Sequence, residues 1–348
     1  MICVGYIIYN KNNSTYRFLL TPSKLEKLER YRFFDDLEKN GVSYSIIDPT
    51  SPCSCATHYQ IIVHKLLDLY TLQDKYSKKS VSWLERVHQM YPNILLLDSI
   101  DHLKKWLRRD YTYHITNQVI QECHMSSILH IPSFCFIEHS QSIHKAIRNH
   151  NIHLPLLLKP NDCLGKKSSH KIKIIMNKSD IPLNIPIDVV AQEYINHNAI
   201  IYKLYCFGNE CFIECRKSLP NIPKERKSLL PYVIDNKKIV PSFFPQKTNL
   251  LETSKNQTIE PEIKISYAEN KVIQSSSLFD IITQKQWSTF LKYFQKITNI
   301  KMVGIDFIID NNECVYIIDI NEFPGYKRFP DLSTRFACFL KEQFHSSQ

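Results

Sequence analysis

The stretch at residues 302–329, MVGIDFIIDNNECVYIIDINEFPGYKRF, constrains this chain more than any other. Two apolar runs, 303–309 and 314–320, flank Asn311-Asn312, a pair that tolerates positive φ and suits the tight turn of a hairpin. With Asp310 opposite Glu313, Asp306 faces Ile317. Side chains two apart share a face, so Asp319 and Asn321 join Asp306 on one side, as diagonal neighbours roughly 7–8 Å apart at the backbone. The remaining positions are Ile, Val, Phe and Tyr, and burying carboxylates among them is costly without a partner. Hard oxygen donors with no sulfur suit Mg²⁺, which keeps waters and takes other ligands from substrate phosphates. The plainer alternative is a solvated hairpin face with stray acids. Asn321-Glu322-Phe323-Pro324-Gly325-Tyr326 follows as a Pro-Gly turn, where Gly325 lets backbone N–H groups approach an anion. A phosphate site beside a metal site is the expectation.

Several function classes drop out. The chain has only 6 glycines, and neither a GxGxxG fingerprint nor a Walker loop occurs, which excludes a Rossmann dehydrogenase and a P-loop kinase. A formal charge of +10 favours an anionic partner, with nucleic acid, membrane surface and polyphosphate all open at this point. At 348 residues and 43% hydrophobic content the chain is expected to be soluble and globular, with two or three lobes. Its 11 cysteines form no CxxC pair, and the apolar start lacks a basic leader region, so a reducing, cytoplasmic setting is expected. No apolar run approaches the roughly 20 residues of a membrane span.

In chain order, strands at 4–9, 42–47, 58–67 and 93–97 alternate with helices at 23–40 and 80–91, predicting a small α/β lobe with a parallel sheet. Strand ends in such sheets face ligands, which marks Lys65 and His64. Lys24 opens a helix where the dipole offers a cation nothing, leaving either a solvated lysine or one held near an anion. Residues 101–124 read as a helix with Lys104, Lys105, Arg108 and Arg109 on its first half, by composition a solvated face. A strand at 154–159 ends in Lys159, a polar loop runs from Asn161 to His170, and a strand returns at 171–176. His170 taken alone is a surface histidine. The strand at 189–195 can offer a backbone N–H and C=O to a base edge, with the Gln192 amide beside them. A hairpin at 204–207 and 210–215 carries Cys206, Cys211 and Cys215, read as buried thiols rather than a zinc site. Residues 220–275 are Lys-, Pro- and Ser-rich and read as loops or an insertion, and helices are expected at 282–297 and 332–344.

Asp306, then Asp319-Ile320-Asn321, then Phe323-Pro324-Gly325-Tyr326 resembles the C-terminal signature of the ATP-grasp inositol phosphate kinases, the inositol-tetrakisphosphate 1-kinase (inositol 1,3,4-trisphosphate 5/6-kinase) family. Ile195-Asn196-His197-Asn198-Ala199 with Lys203 shortly after is the most specific local match. His64-Lys65-Leu66, Lys24 and Arg216-Lys217-Ser218 agree in order, and the resemblance runs from residue 4 to about 326. It implies an α/β ATP-grasp fold of three lobes: a substrate-binding lobe 1–100, a central lobe 101–197 with a lid loop, and a C-terminal lobe 198–348 with the metal hairpin and a polar insertion at about 220–275. Nucleotide would lie between the central and C-terminal lobes. The implied reaction is Mg²⁺-dependent transfer of the ATP γ-phosphoryl group to a hydroxyl of inositol tris- or tetrakisphosphates, with two metal ions expected.

By the same resemblance, Asp306, Asp319 and Asn321 hold metal, while Arg109 (Arg108 being the other candidate), Lys159, Gln192 and Ser218 hold nucleotide. Lys24, Lys65, His170, Lys203, Arg216, Asn321 and Gly325 meet the inositol phosphate, with Lys203 and His170 also taken as catalytic. His197 falls near substrate. The loop from Lys159 to His170 is one residue longer than the family pattern, with Lys166-Lys167 in place of small polar residues, and the segment around 245–270 is longer too. The rivals are a carboxylate–amine ligase on the same fold and a non-catalytic polyanion-binding protein. A nucleic-acid partner is not expected, because the basic residues are spread over all lobes rather than set in an aromatic-interleaved stripe. A monomer is expected.

Overall fold

The computed structural model describes residues 6–9, 15–30, 32–42, 44–45, 47–59, 61–72, 74–163, 171–222, 232–235, 265–266, 278, 281–326 and 329–346. The expected lid residues 164–170, His170 among them, and most of 220–275 lie outside it.

The first sheet collects β1 (Tyr6–Tyr9), β2 (Thr15–Leu19), β3 (Tyr44–Ser45), β4 (Ile61–His64) and β5 (Leu95–Leu97) in the order β3-β1-β2-β4-β5. It is mixed rather than parallel: β1 pairs antiparallel with β2 and β3, and only β2-β4-β5 run parallel. The sequence gives no sign of β2, a five-residue strand with Arg17 at its centre. The helix expected at 23–40 is two, α1 (Pro22–Arg30) and α2 (Phe33–Lys39), because Arg32 takes a left-handed φ of 52° between them. Gly41, at φ 75°, closes the second as expected. After His64 the chain turns directly into α3 (Leu66–Leu72), so the strand expected to reach residue 67 stops earlier. Asp74 starts α4 (Lys75–Met90) by accepting the N–H groups of Tyr76 and Ser77.

The helix expected at 101–124 is likewise two, α5 (Ile100–Lys105) and α6 (Arg109–Glu122). Then come β6 (Leu129–His130), β7 (Phe134–Ile137), α7 (Ile143–Asn149), β8 (Leu156–Pro160), β9 (Lys171–Ile175) and β10 (Val189–Glu193). With β13 (Tyr232–Asp235), four of these form an antiparallel middle sheet, β13-β9-β8-β10-β7. The third sheet, β14-β12-β11-β15-β16-β6, takes β11 (Ile200–Phe207), β12 (Glu210–Lys217), β14 (Ile265–Ser266), β15 (Met302–Ile309) and β16 (Val315–Glu322). Cys206, Cys211 and Cys215 are buried free thiols in it.

Helix α8 (Gln284–Thr298) lays Trp287, Phe290, Leu291 and Phe294 on the back of this sheet, and a Thr283–Gln286 capping box fixes its start. The cluster it joins also contains Trp83 of α4 and Ile62 of β4. A second cluster packs Phe18, Phe33 and Phe34 against Phe207 and against Phe336 of α9 (Leu332–Ser346). The first and third sheets thus share their apolar clusters, whereas the middle sheet has one of its own, around Ile137, Ile143, Leu156, Ile175 and Ala191.

Candidate active site

The site begins with a register. Glu214 of β12 pairs with Lys203 of β11, Lys203 with Asp306 of β15, and Asp306 with Asp319 of β16. Directly opposed residues share a face, so four charged side chains form one row across four strands. Along β11 the same face carries Tyr205 and Phe207, buried in the cluster that holds Phe18, Phe33 and Phe34.

The register differs from the expected one. Asp310 accepts the N–H groups of Asn312 and Cys314, so residues 310–314 make a longer turn, and Ile309 faces Val315. Between Asp306 and Phe307 the pairing then slips by one, leaving Ile318 as a bulge. Asp306 therefore faces Asp319, not Ile317. Asp319 and Asn321 still share its face, but the carboxylates are direct partners rather than diagonal ones.

Both acids are paired. Lys203 Nζ lies 2.8 Å from Asp306 Oδ1, and Arg109 Nη1 lies 2.8 Å from Asp319 Oδ1. Asp306 Oδ1 is buried and, despite that ion pair, has no well-aligned hydrogen bond among the described residues. Burial, with Asp319 adding, pushes the Asp306 carboxyl above the usual range, and Lys203 opposes the shift. Asn321 Nδ2 lies 3.4 Å from Asp319 Oδ2. A buried carboxylate oxygen met only by the Lys203 ammonium, a facing carboxylate and a side-chain amide make a hard-oxygen donor set that fits Mg²⁺. No group of three or more His, Cys, Asp or Glu with metal-holding geometry occurs among the described residues.

Arg109 is placed by the start of α6. Its N–H donates to Asn161 O at 2.9 Å and its Nε to Pro160 O at 3.2 Å, clipping the helix to the end of β8. Burial disfavours its charge, but Asp319 more than compensates and raises its pKa. Arg108 turns away, to Asp110 at 2.7 Å and over the Phe136 ring at 5.3 Å.

Lys159 Nζ donates to Gln192 Oε1 at 2.6 Å and to Tyr113 OH at 3.2 Å, and approaches Ile318 O at 3.4 Å. Tyr113 OH in turn donates to Ile318 O at 2.9 Å, so the bulge carbonyl faces the lysine group. Gln192 Nε2 is buried without a partner among the described residues, a donor set beside the ammonium. Tyr113 was not anticipated; its spacing of four from Arg109 on one helix face was the signal.

Arg216 Nη2 donates to Glu214 Oε2 at 2.7 Å and to Tyr205 OH at 2.6 Å. Glu214, 3% exposed, was also missed, although it shares a strand face with Arg216. Ser218 Oγ is 2.8 Å from His197 Nε2, whose Nδ1 is 2.7 Å from Ile195 O. With Nδ1–H donating to that carbonyl, Nε2 accepts the serine proton, and burial lowers the imidazole pKa against the opposing effect of the Ile195 carbonyl.

Lys24 and Gly325 meet at the turn after β16. Lys24 Nζ donates to Pro324 O at 2.8 Å and sits 4.2 Å from the Phe323 ring centre. Among the described residues nothing lies within 4 Å of where a side chain on Gly325 would begin, so they leave open space beside the turn. Lys65 stands apart, 3.1 Å from Asp68 and near Glu322. Glu322 accepts the Leu67 N–H, and burial pushes its carboxyl up to about 8. Asp98, up to about 7 by burial, accepts the N–H groups of Lys301 and Met302. His64 is 1% exposed and held down to about 4 by burial, so it faces the interior rather than a ligand.

The chain is similar to known proteins in sequence and in fold. The profile of the inositol 1,3,4-trisphosphate 5/6-kinase ATP-grasp domain matches residues 123–342. An inositol-tetrakisphosphate 1-kinase of Danio rerio is 26% identical over 342 residues, covering 94% of this chain and 79% of that one. Inositol-tetrakisphosphate 1-kinase 1 of Arabidopsis thaliana is 23% identical, covering 94% of this chain and 91% of that one. Among solved structures, the D-cycloserine synthetase DcsG superposes with a TM-score of 0.54 at 10% identity, covering 94% of this chain and 99% of that one. The ATP-grasp ligase PsnB, complexed with a precursor peptide and AMPPNP, reaches 0.50 at 10% identity, covering 91% and 95%. The fold is ATP-grasp. No helix among the described residues is long and apolar enough to cross a membrane.

Proposed function

We propose, from the premise that the chain belongs to the inositol 1,3,4-trisphosphate 5/6-kinase family, that it transfers the γ-phosphoryl group of ATP to a free hydroxyl of an inositol tris- or tetrakisphosphate. The observation that carries this reading is the row Lys203–Asp306–Asp319 on one sheet face, with Arg109 paired to Asp319 and Lys159 beside the Ile318 carbonyl, so that two adjacent acids are ringed by cations. Phosphoryl transfer needs positioning and charge neutralisation more than covalent help.

Asp306, Asp319 and Asn321 would hold Mg²⁺, two ions in this reading, which when bound supplies charge neutralisation at the transferred group. Lys159 would donate to nucleotide phosphates as a point charge held by neutral partners, and Arg109 would reach the same end. Gln192 would turn its unpaired amide N–H toward the nucleotide, and Ser218, its proton held by His197, would offer its oxygen lone pairs. Lys203, Arg216, Lys24 and the open turn at Gly325 would receive the phosphates of the inositol ring, with Lys65 at the rim. His170 completes that set from the sequence. We take 1–100, 101–197 and 198–348 as the three lobes, and a cytoplasmic monomer as the working state.

The test is ATP consumption with Mg²⁺ on a panel of inositol tris- and tetrakisphosphates, products resolved by isomer. One added phosphate on a defined isomer, abolished in Asp319→Ala, is the expected outcome. ATP binding without turnover on any isomer, together with ADP formation on a carboxylated acceptor, would replace this reading by ligase chemistry.

A further inference from the structure

Each carboxylate assigned to metal already has a cation of its own. Lys203 stands 2.8 Å from Asp306 and Arg109 stands 2.8 Å from Asp319, with side-chain exposures of 11 to 32% across the four groups. Salt screens pairs this sheltered only weakly. Neither contact is a wandering surface pair. Lys203 and Asp306 are direct partners in the β11–β15 ladder, so the sheet fixes their separation, and Arg109 is pinned at its own N–H and at Nε. Lys159, by contrast, is held by Gln192, Tyr113 and a carbonyl, all neutral acceptors.

The lysine contact is close but unaligned, since Asp306 Oδ1 is left without a proper hydrogen bond. Held at 2.8 Å outside good hydrogen-bond alignment, that oxygen is bound to the ammonium mainly by charge, and a divalent ion competes well for it. The four groups sum to zero charge as they stand.

We infer that Lys203, and with it Arg109, holds the place of the divalent ion in the metal-free protein and is displaced onto bound phosphates when that ion arrives. This rests on the reading of Asp306 and Asp319 as metal ligands. Two cations tied to carboxylates are poor phosphate ligands; released, they face the anion with their full charge. Metal and polyanion then strengthen one another's binding through the same two side chains, and by linkage the effect is reciprocal.

The test uses Mn²⁺ alone as probe, without nucleotide, reading free Mn²⁺ by electron paramagnetic resonance on the full chain. Lys203→Met is expected to bind Mn²⁺ tighter than the wild type by roughly tenfold or more, the scale of a close charge pair. Lys159→Met, which removes a site cation not paired to an acid, is expected to stay within about twofold. Equal affinity in the wild type and K203M overturns the displacement, as does an equal gain in K159M, which would mean a field effect only. Mn²⁺ that binds neither the wild type nor K203M overturns the metal reading itself.

Because K203M leaves Asp306 buried without its partner, a measurement on unaltered protein is added. After reductive ¹³C-methylation of lysines, the Lys203 resonance, identified by its absence in Lys203→Arg, is expected to move on saturation with Mg²⁺. A resonance that stays in place overturns the inference.

Discussion

At Gly304 a methyl group would sit 3.0 Å from Pro324 Cβ and 3.4 Å from Lys203 Cε. The missing side chain is what lets the turn after β16 lie against the lysine, and Gly304→Ala has to push one of them aside. The expected result is a raised KM for the inositol phosphate with KM for ATP little changed, and a stability loss of about 1–3 kcal/mol by chemical denaturation. Equal change in both KM values would place the damage elsewhere. At this scale the sequence was most legible where a residue's chemistry and a two-residue period coincide, as for Asp306, Asp319 and Asn321. Glu214 and Tyr113 escaped because a lone acid on an apolar strand and a tyrosine on a mixed helix acquire meaning only from what tertiary packing sets opposite them. Between Arg108 and Arg109 spacing alone could not choose, since the helix start that aims them is set by Asn161, fifty-odd residues away in sequence.

Among elements, the β15–β16 hairpin shows where pattern reading stops. Both strands are apolar on both faces, so no alternation fixes their register, and the turn chemistry of Asp310 decides it instead. The bulge at Ile318 that follows turns a backbone carbonyl toward Tyr113 and Lys159. Tyr113→Phe removes the hydroxyl that links helix, bulge and lysine. A loss near 1 kcal/mol is expected, so KM for ATP should rise about fivefold while KM for the inositol phosphate holds. A change confined to the inositol phosphate would contradict the placement of Lys159 at the nucleotide. The split helices at Arg32 and before Arg109 were illegible for a related reason. A left-handed non-glycine residue and a clip to a distant strand leave no mark in helical periodicity.

For the whole molecule, the first and third sheets are joined by apolar clusters and also by buried carboxyls. Asp98 caps the N–H groups at the start of β15 and its carboxyl is raised to about 7 from an ordinary 3.8. A raised carboxyl makes the folded state bind more protons than the unfolded one inside that window. Its contribution is therefore complete below about pH 4 and lost as pH rises toward about 7. In Asp98→Asn that loss is absent. The melting temperature of the variant minus that of the wild type is expected to grow as pH rises through the window, by an amount equivalent to about 1 to 4 kcal/mol. A difference independent of pH would show Asp98 ionised throughout. The ATP-grasp architecture was legible because motifs along most of the chain kept their order. The mixing of strand directions in the first sheet was not, because short strands such as β2 and β3 carry too few residues to show a period.

The packing of α9 also sets a schedule. Phe336 meets Phe33 at 5.4 Å between ring centres, and Lys341 Nζ donates to Asn40 O across 301 residues of sequence. During synthesis the ribosome emits α1 and α2 long before their covering helix exists. Phe18, Phe33 and Phe34 must wait, exposed or in a chaperone's care, until residues 332–346 have cleared the exit tunnel. A chain interrupted after Asp319 but before that helix would carry the complete charged row and still present an uncovered aromatic face to its neighbours.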